Sequence, residues 1–284
     1  MSDRWIDVSA HNGAIDWRKV AAAGIKGAII RAGYGNSVSQ QDTAFRANIT
    51  GAVKAGLKAA VYYFSYADSV ADALKEWAAC RQIIAPYRTK ILFVTLDYEY
   101  DSVDYYRRIH GAAPSKALIN QTVGAFLSAA KADGWKTALY TNNDYRRNIF
   151  TAATLNAWDY LWLADYTGGP DIPCAIQQTT SSGRVPGISG SVDLDTVFAA
   201  IGTVPPPYTV DTTTDVTIEP GQSYTVKTTG DIQLVPGTAG RVQIVRCIWP
   251  KWVLWHIVPL GNPGEDVGIY PQGAPKKLFT VNIR

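Results

Sequence analysis

The feature that most constrains this chain is the alternation of short apolar runs with amphipathic ones through its first two hundred residues. RWIDV (4–8) is followed by a helical segment opening at Asp16, KGAIIRAG (26–33) by one starting near Asp42, and LKAAVYYFSY (57–66) by one from about Ser69. ILFVTLDYE (91–99) precedes the clearest helical pattern, PSKALINQTVGAFLSAAKADG. There Pro114 takes a first-turn position, Ile119, Val123, Phe126, Leu127 and Ala130 make one apolar stripe, and Gly134 stops it. Four more strand-like runs follow: WKTALYTN (135–142), YLWLADY (160–166), CAIQQT (174–179) and SVDLD (191–195). Alternating strand and helix imply parallel strands joined by right-handed crossovers, and so many units favour a closed barrel over an open sheet. The later strands come with little helix between them. The predicted fold is therefore α/β, an irregular (β/α) barrel of the TIM type over residues 1–202.

Beyond that point the text changes. Prolines at 205–207 make 203–207 a stiff linker, and residues 208–284 contain only short β runs and turns, which predicts a small all-β sandwich or barrel. The run CIWPKWVLWHIV gathers Trp249, Trp252 and Trp255. In so small a domain they are most simply core, and exposure of even one would mark a ligand patch.

A chain of 284 residues has room for one large and one small domain, and 47% hydrophobic with 18% charged residues is an ordinary folded composition. The net charge of +3 comes from scattered Lys and Arg, so nucleic acid is not an expected partner, although an anionic polymer would be attracted. MSDRWIDVSA lacks the basic flank and apolar core of a signal peptide, and no apolar stretch reaches the ~18 residues of a membrane helix. Synthesis in the cytoplasm without membrane insertion is the expectation. Cys80, Cys174 and Cys247, odd in number and widely spaced, fit reduced thiols.

ILFVTLDYEY ends an apolar strand in two carboxylates. Asp97 and Glu99 alternate, so they share a face with Cα atoms about 6.5–7 Å apart, and crowding raises the pKa of at least one of them. Alone, such a pair reads as a solvated strand end. However, Asp7 ends the first strand and Asp193 and Asp195 lie at the last, and in a parallel barrel the strand ends converge on the active-site mouth. Tyr62, Tyr63, Tyr66, Tyr98, Tyr100, Tyr140, Trp162 and Tyr166 gather at the same ends. Acids with aromatic rings describe a sugar groove, and glycoside cleavage needs a proton donor at the leaving oxygen and a second group to stabilise the oxocarbenium-like centre.

Other chemistries fit less well. Cys80 falls inside a helix and Cys174 opens a strand, which leaves no Cys–His site. Asp7, His11 and Asp97 could in principle hold a metal, but His11 sits in a turn and only His110 and His256 remain. RAGYGNS has no lysine after its glycines, so it is no phosphate loop. No cofactor or metal is expected.

In their order along residues 4 to about 200, DVSAHNG, IIRAGYG, VYYFS, LDYE, LYTN, WLADY and GSVDLD resemble the family 25 glycoside hydrolases. These are the muramidases, or N-acetylmuramoylhydrolases, of bacteria and phage endolysins. The resemblance implies hydrolysis of the β-1,4 bond between N-acetylmuramic acid and N-acetylglucosamine in peptidoglycan. It also implies Glu99 as general acid and then base, and Asp97 as the group that orients the substrate N-acetyl for attack on the anomeric carbon. Asp7 and Asp193 match further acidic positions that support the pair. Tyr62, Tyr140, Trp162, Tyr166 and Gln177 match positions lining the groove, with Tyr66 and Asp195 as further substrate contacts. Such substrate assistance is retaining, and an inverting route through another aspartate stays open. The sequence departs from the family at Ile176 and Gln178, which flank Gln177 where aromatics are usual, and at Asp195, where asparagine is usual.

In plan, a barrel joined by a proline linker to a small β domain is similar to phage endolysins that carry a wall-binding module. Residues 208–284 are expected to bind a cell-wall glycan or secondary polymer, with a structural role as the alternative. Release on host lysis would bring the chain to the wall. Two other whole-chain readings remain open, a glycan-binding barrel without turnover and a glycosidase of chitin-like polymers. Intact Asp97 and Glu99 argue against the first.

Overall fold

The computed structural model describes residues 2–201, 208–230, 232–248, 252–272 and 277–284. The linker at 203–207 and Trp249 lie outside the described residues. The chain forms two compact units, Met1–Pro205 and Pro206–Arg284.

In the first unit eight strands close into a barrel in sequence order. They are β1 (Asp3–Val8), β2 (Gly27–Tyr34), β3 (Lys58–Phe64), β4 (Ile91–Asp97), β5 (Thr137–Asn142), β6 (Tyr160–Ala164), β7 (Ile176–Gly183) and β8 (Val192–Val197). The helices are α1 (Trp17–Ala22), α2 (Phe45–Lys54), α3 (Val70–Ile84), α4 (Tyr100–His110), α5 (Lys116–Ala132), α6 (Asn143–Asn148) and α7 (Ala152–Leu155). Side-chain caps set several of the starts. Asp16 accepts from Lys19 N before α1, and Ser69 accepts from Asp72 N before α3. Ser115 does the same for Leu118 N before α5, which puts Pro114 ahead of the cap rather than in the first turn. The stripe of α5 is buried as its spacing demands, from Ile119 to Ala130. Helix α4 carries no such stripe; Ser102 is its single buried residue, so its apolar pattern gave no signal.

The barrel departs from parallel winding at one strand. β8 pairs antiparallel with both β7 and β1. Only residues 184–191 separate β7 from β8, fewer than the dozen or more a parallel crossover needs. Asp193 and Asp195 therefore lie on a strand that enters at the mouth and runs inward, with Asp193 opposite Asp7 and Asp195 opposite Trp5.

Alternation along the strands makes two cores. Trp5, Ile29, Phe93, Trp162, Ile176 and Val197 fill the lumen, where Trp5 of β1 and Phe93 of β4 stack with centroids 6.3 Å apart. Their neighbours, among them Ile6, Ile30, Val61, Tyr63, Val94 and Tyr98, face the helices. Each such side chain, taken from water, contributes about 1.5–3 kcal/mol. The lumen is packed, so any ligand site is confined to its mouth.

The second unit has strands β9 (Tyr208–Val210), β10 (Val216–Ile218), β11 (Tyr224–Gly230), β12 (Leu234–Pro236), β13 (Val242–Ile248), β14 (Val253–Pro259), β15 (Asp266–Pro271) and β16 (Phe279–Ile283). They form two four-stranded sheets, β10-β16-β15-β12 and β13-β14-β11-β9. Val226, Trp255, Ile257, Ile269, Phe279 and Val281 pack in one core, the arrangement of a small sandwich. Trp255 is buried and donates from Nε1 to Thr228 Oγ1 at 2.7 Å, whereas Trp252 is 37% exposed with Lys227 Nζ 4.1 Å from its ring centroid.

Among the described residues no helix is long and apolar enough to cross a membrane.

Candidate active site

The mouth is built first by turn chemistry. After β1, Ser9 N donates to Asn12 Oδ1 at 2.9 Å while Ser9 Oγ accepts from His11 N, which folds SAHN into a tight turn. Asp42 ties this turn to β2, accepting from Ala10 N at 3.0 Å and from Arg31 Nε at 2.7 Å. His11 is exposed, and among the described residues no group of three or more His, Cys, Asp or Glu is arranged to hold a metal.

Asp97 is the last residue of β4, whose seven positions are all buried, and Glu99 is the N-cap of α4. Glu99 N donates to Ser102 Oγ at 3.1 Å, which fixes the turn between strand and helix. The helix N-terminus favours a carboxylate there, yet burial prevails and the Glu99 pKa is raised, with Asp101 and Asp193 adding to the shift and Tyr140 opposing it. Burial, then Glu99, raises Asp97 well above the usual carboxylate range, and Asp97 Oδ1 is buried with no donor among the described residues.

Asp7, Asp193 and Asp195 complete the constellation. Burial, then Asp195 and Asp193, raises Asp7 well above its ordinary value. Burial likewise raises Asp193 and pushes Asp195 up to about 8. Arg31 faces these acids but is already paired with Asp42. With so little positive charge nearby, burial and mutual repulsion push these acids toward the protonated form.

Beside Glu99 opens a cavity of about 450 Å³, lined in part by Glu99, Tyr100, Tyr140, Asn142, Asn143 and Tyr166. It offers aromatic faces, amides and three acids, of which Glu99 has a raised pKa, the equipment for holding a sugar and protonating its leaving oxygen.

The other predicted residues divide by strand parity. Tyr140 and Tyr166 flank the cavity, and both hydroxyls donate to Gln178 Oε1, at 3.1 and 2.7 Å. Tyr62 lies inside the mouth, edge-on to Trp162 with centroids 6.2 Å apart. Trp162 is 2% exposed and Asp195 is 2% exposed, joined by Nε1 to Oδ1 at 2.8 Å. Neither lines an open groove; they form the layer beneath it, because the lumen is packed at that depth. Gln177 points away from the acids and clamps the following loop, donating from Nε2 to the carbonyls of Asp165 and Gly168, both at 2.7 Å. Tyr66 stands off the cavity, against Tyr34 and Tyr105 with centroids 6.0 and 4.9 Å away. Tyr63 and Tyr98 are buried on the helix side.

Gln178 is the residue that sequence reasoning left out of the site. Its Nε2 donates to Asp7 Oδ2 at 2.8 Å while Oε1 takes the two tyrosines, so it links Asp7 to the cavity wall. The signal was parity: on β7 Gln178 shares the inner face with Ile176, and Gln177 does not.

Residues 6–188 match the model of the family described as glycosyl hydrolases family 25. No curated protein matches the chain. Several solved structures share its fold. The modular autolysin LytC from Streptococcus pneumoniae, solved with a synthetic peptidoglycan ligand, has a TM-score of 0.60 at 24% identity over 69% of this chain and 47% of its own. This chain thus spans about half the length of that autolysin. The bacterial lysozyme from Streptomyces coelicolor has a TM-score of 0.58 at 24% identity, covering 70% and 93%. The catalytic domain of endolysin ply40 from bacteriophage P40 of Listeria monocytogenes has 0.59 at 20% identity, covering 71% and 95%.

Proposed function

The chain belongs to glycosyl hydrolases family 25, and from that membership we propose that it is a peptidoglycan hydrolase, cleaving the β-1,4 bond between N-acetylmuramic acid and N-acetylglucosamine. The observation that carries the reading is the Asp97–Glu99 pair at the barrel mouth, Asp97 buried and Glu99 half-buried on the wall of a tyrosine-lined cavity. A lysozyme, a phage endolysin and an autolysin solved with a peptidoglycan ligand share the fold, which supports this substrate class and a role as a phage or prophage endolysin.

Burial raises the Glu99 pKa and so favours its acid form, which gives its proton to the leaving glycosidic oxygen. Asp97 holds the substrate N-acetyl group for attack of its carbonyl oxygen on the anomeric carbon. Water then opens the resulting ring as Glu99 takes back a proton, which gives retention.

In the second unit we assign wall binding to the face carrying Trp252 and Lys227, an exposed ring with a cation 4.1 Å from its centroid. A ring can stack on a sugar, and the ammonium suits an anionic polymer.

The reaction is tested by incubating purified peptidoglycan with the full chain and with Glu99→Gln, then identifying new reducing ends by mass spectrometry after borohydride reduction. Reduced muramic acid ends from the native chain, with at least a ~100-fold loss in the variant, are expected. Reduced glucosamine ends would make it a glucosaminidase, and no release from any wall would leave a glycan-binding barrel.

A further inference from the structure

We propose that Asp195 and Asp7 form a buried carboxyl pair sharing one proton, and that Asp195 is thereby a positioning residue that holds the pair to a single negative charge in the working site. The functional half of this inference rests on the hydrolase reading; the structural half does not.

The geometry leaves few alternatives for these two groups. Asp195 lies opposite Trp5 on one neighbouring strand and Gln178 on the other, and its side chain points into the lumen. Oδ1 is satisfied by Trp162 Nε1 at 2.8 Å. Oδ2 is buried and receives no N–H or O–H from any described residue. Asp7 follows Trp5 by two residues on the inner face of β1, and Gln178, opposite Asp195 on β7, donates to Asp7, so the two carboxyls occupy neighbouring places in the mouth. Two ionised carboxylates so placed repel, whereas one proton between them satisfies the orphaned oxygen and removes one buried charge.

Asp7 is held for this contact from its far side. Gln178 has no rotational choice: two tyrosine hydroxyls donate to Oε1, so Nε2 must supply the donor to Asp7 Oδ2. The surrounding charges favour the same state. Asp193 on β8 and Asp97 at the end of β4 are acids that raise the Asp7 pKa, and Glu99 beyond β4 is a further acid of the mouth, so a second negative charge on the pair is disfavoured. Tyr62 on β3, Tyr140 on β5 and Tyr166 beyond β6 all have pKa values raised above 10.0, so they bring no charge at neutral pH. Arg31 on β2 acts on Tyr62 and Asp97 at the same mouth, and Asp42 already takes it at 2.7 Å. Burial raises both acids, Asp195 to about 8, and the proton belongs to the pair rather than to either member.

The test reads the proton directly. In a Glu76→Gln background, which removes the other buried acid expected to titrate near 8, infrared spectra of the full chain are recorded across pH. A protonated-carboxyl carbonyl band that disappears as pH rises through about 8 is expected. Asp195→Asn, which keeps the acceptor for Trp162 and gives Asp7 an amide donor, abolishes that band. Asp7→Asn abolishes the same band, and it serves if the first variant does not fold. Persistence of the band in either variant would show that the acids titrate separately and overturn the pair. These spectra need no turnover, so failure of the hydrolase reading leaves them valid. Where turnover is measured, Asp195→Asn should lower kcat about tenfold at pH 6 with KM within about twofold. It should also lose the inflection near 8. An unaltered kcat profile together with a lost band would keep the pair and overturn the positioning role.

Discussion

Ser65 Oγ donates to Glu76 Oε2 at 2.6 Å, with both residues almost fully buried between β3 and α3. Tyr66 N donates to the other oxygen at 2.7 Å, so one carboxyl holds the turn that leads to the tyrosine rim. Among the described residues no cation pairs with it, and burial pushes Glu76 up to about 8. Because its folded pKa is raised, the folded state holds a proton that the unfolded state releases between its ordinary 4.5 and about 8. Stability from this group therefore falls as pH rises through that window. Glu76→Gln keeps both hydrogen bonds without a charge, so its melting temperature should exceed that of the native chain at pH 8 by the equivalent of about 2–4 kcal/mol. The two should converge below pH 4.5. A constant difference at both pH values would contradict a titrating Glu76.

Glu99 acts as an acid only while protonated, so kcat/KM should fall as pH rises through its raised pKa. Asp193 contributes to that rise. Asp193→Asn should move the alkaline limb to lower pH, and Asp104→Asn, in an exposed surface pair with Arg107, should not. Complete pH profiles of the three chains decide it, and a limb moved to higher pH in Asp193→Asn would contradict the assignment of Glu99 as the acid.

How much of this site the sequence displayed can be judged strand by strand. Two-residue alternation located the inner acids, because ILFVTLD and WIDV are strong strand patterns that end in carboxylates. The same rule separates Gln178 from Gln177, but the register of a short strand between loops is not fixed by its own residues. The reversal of β8 was hidden for a related reason. SVDLD looks alike in either direction, and only the length of the preceding connection tells that a crossover cannot fit. Helix α4 stayed illegible because its residues are held by a cap and a strand end rather than an apolar stripe. The depth of Trp162 and Asp195 depends on barrel packing, which no local pattern encodes.

Gly27 is a place where the lumen tolerates no side chain. It pairs with Trp5, and a Cβ added there would lie 2.3 Å from the nearest indole atom. Trp5 is fully buried and stacks on Phe93, so the ring has nowhere to go. Gly27→Ala should cost about 2 kcal/mol or more through overpacking, with displaced Trp5 lowering activity at the mouth above it. Gly56→Ala meets nothing within 4 Å but sits at φ +81°, so its cost is backbone strain alone, about 1–2 kcal/mol. Denaturant titration distinguishes the two, because only Gly27→Ala should also change the tryptophan fluorescence of the native state.

The two described tryptophans flanking and within β14 make opposite predictions. Trp255 is 2% exposed and hydrogen-bonded to Thr228, so Trp255→Ala removes a core anchor and should cost about 3–5 kcal/mol. Trp252 is 37% exposed, with Lys227 the cation over its ring. Trp252→Ala should leave stability within about 1 kcal/mol of native, since an exposed cation–π contact contributes only about 0.5–1 kcal/mol. Its effect should appear instead in binding. Sedimentation of the full chain in Glu99→Gln form with purified walls should show at least about a tenfold weaker association for Trp252→Ala, the loss of one stacked ring. Lys227→Met should weaken binding by a smaller factor and reduce its salt dependence, because a single exposed charge acts over roughly a Debye length. Native-like sedimentation of both variants would sink the assignment of this face to the wall and leave the second unit a structural role.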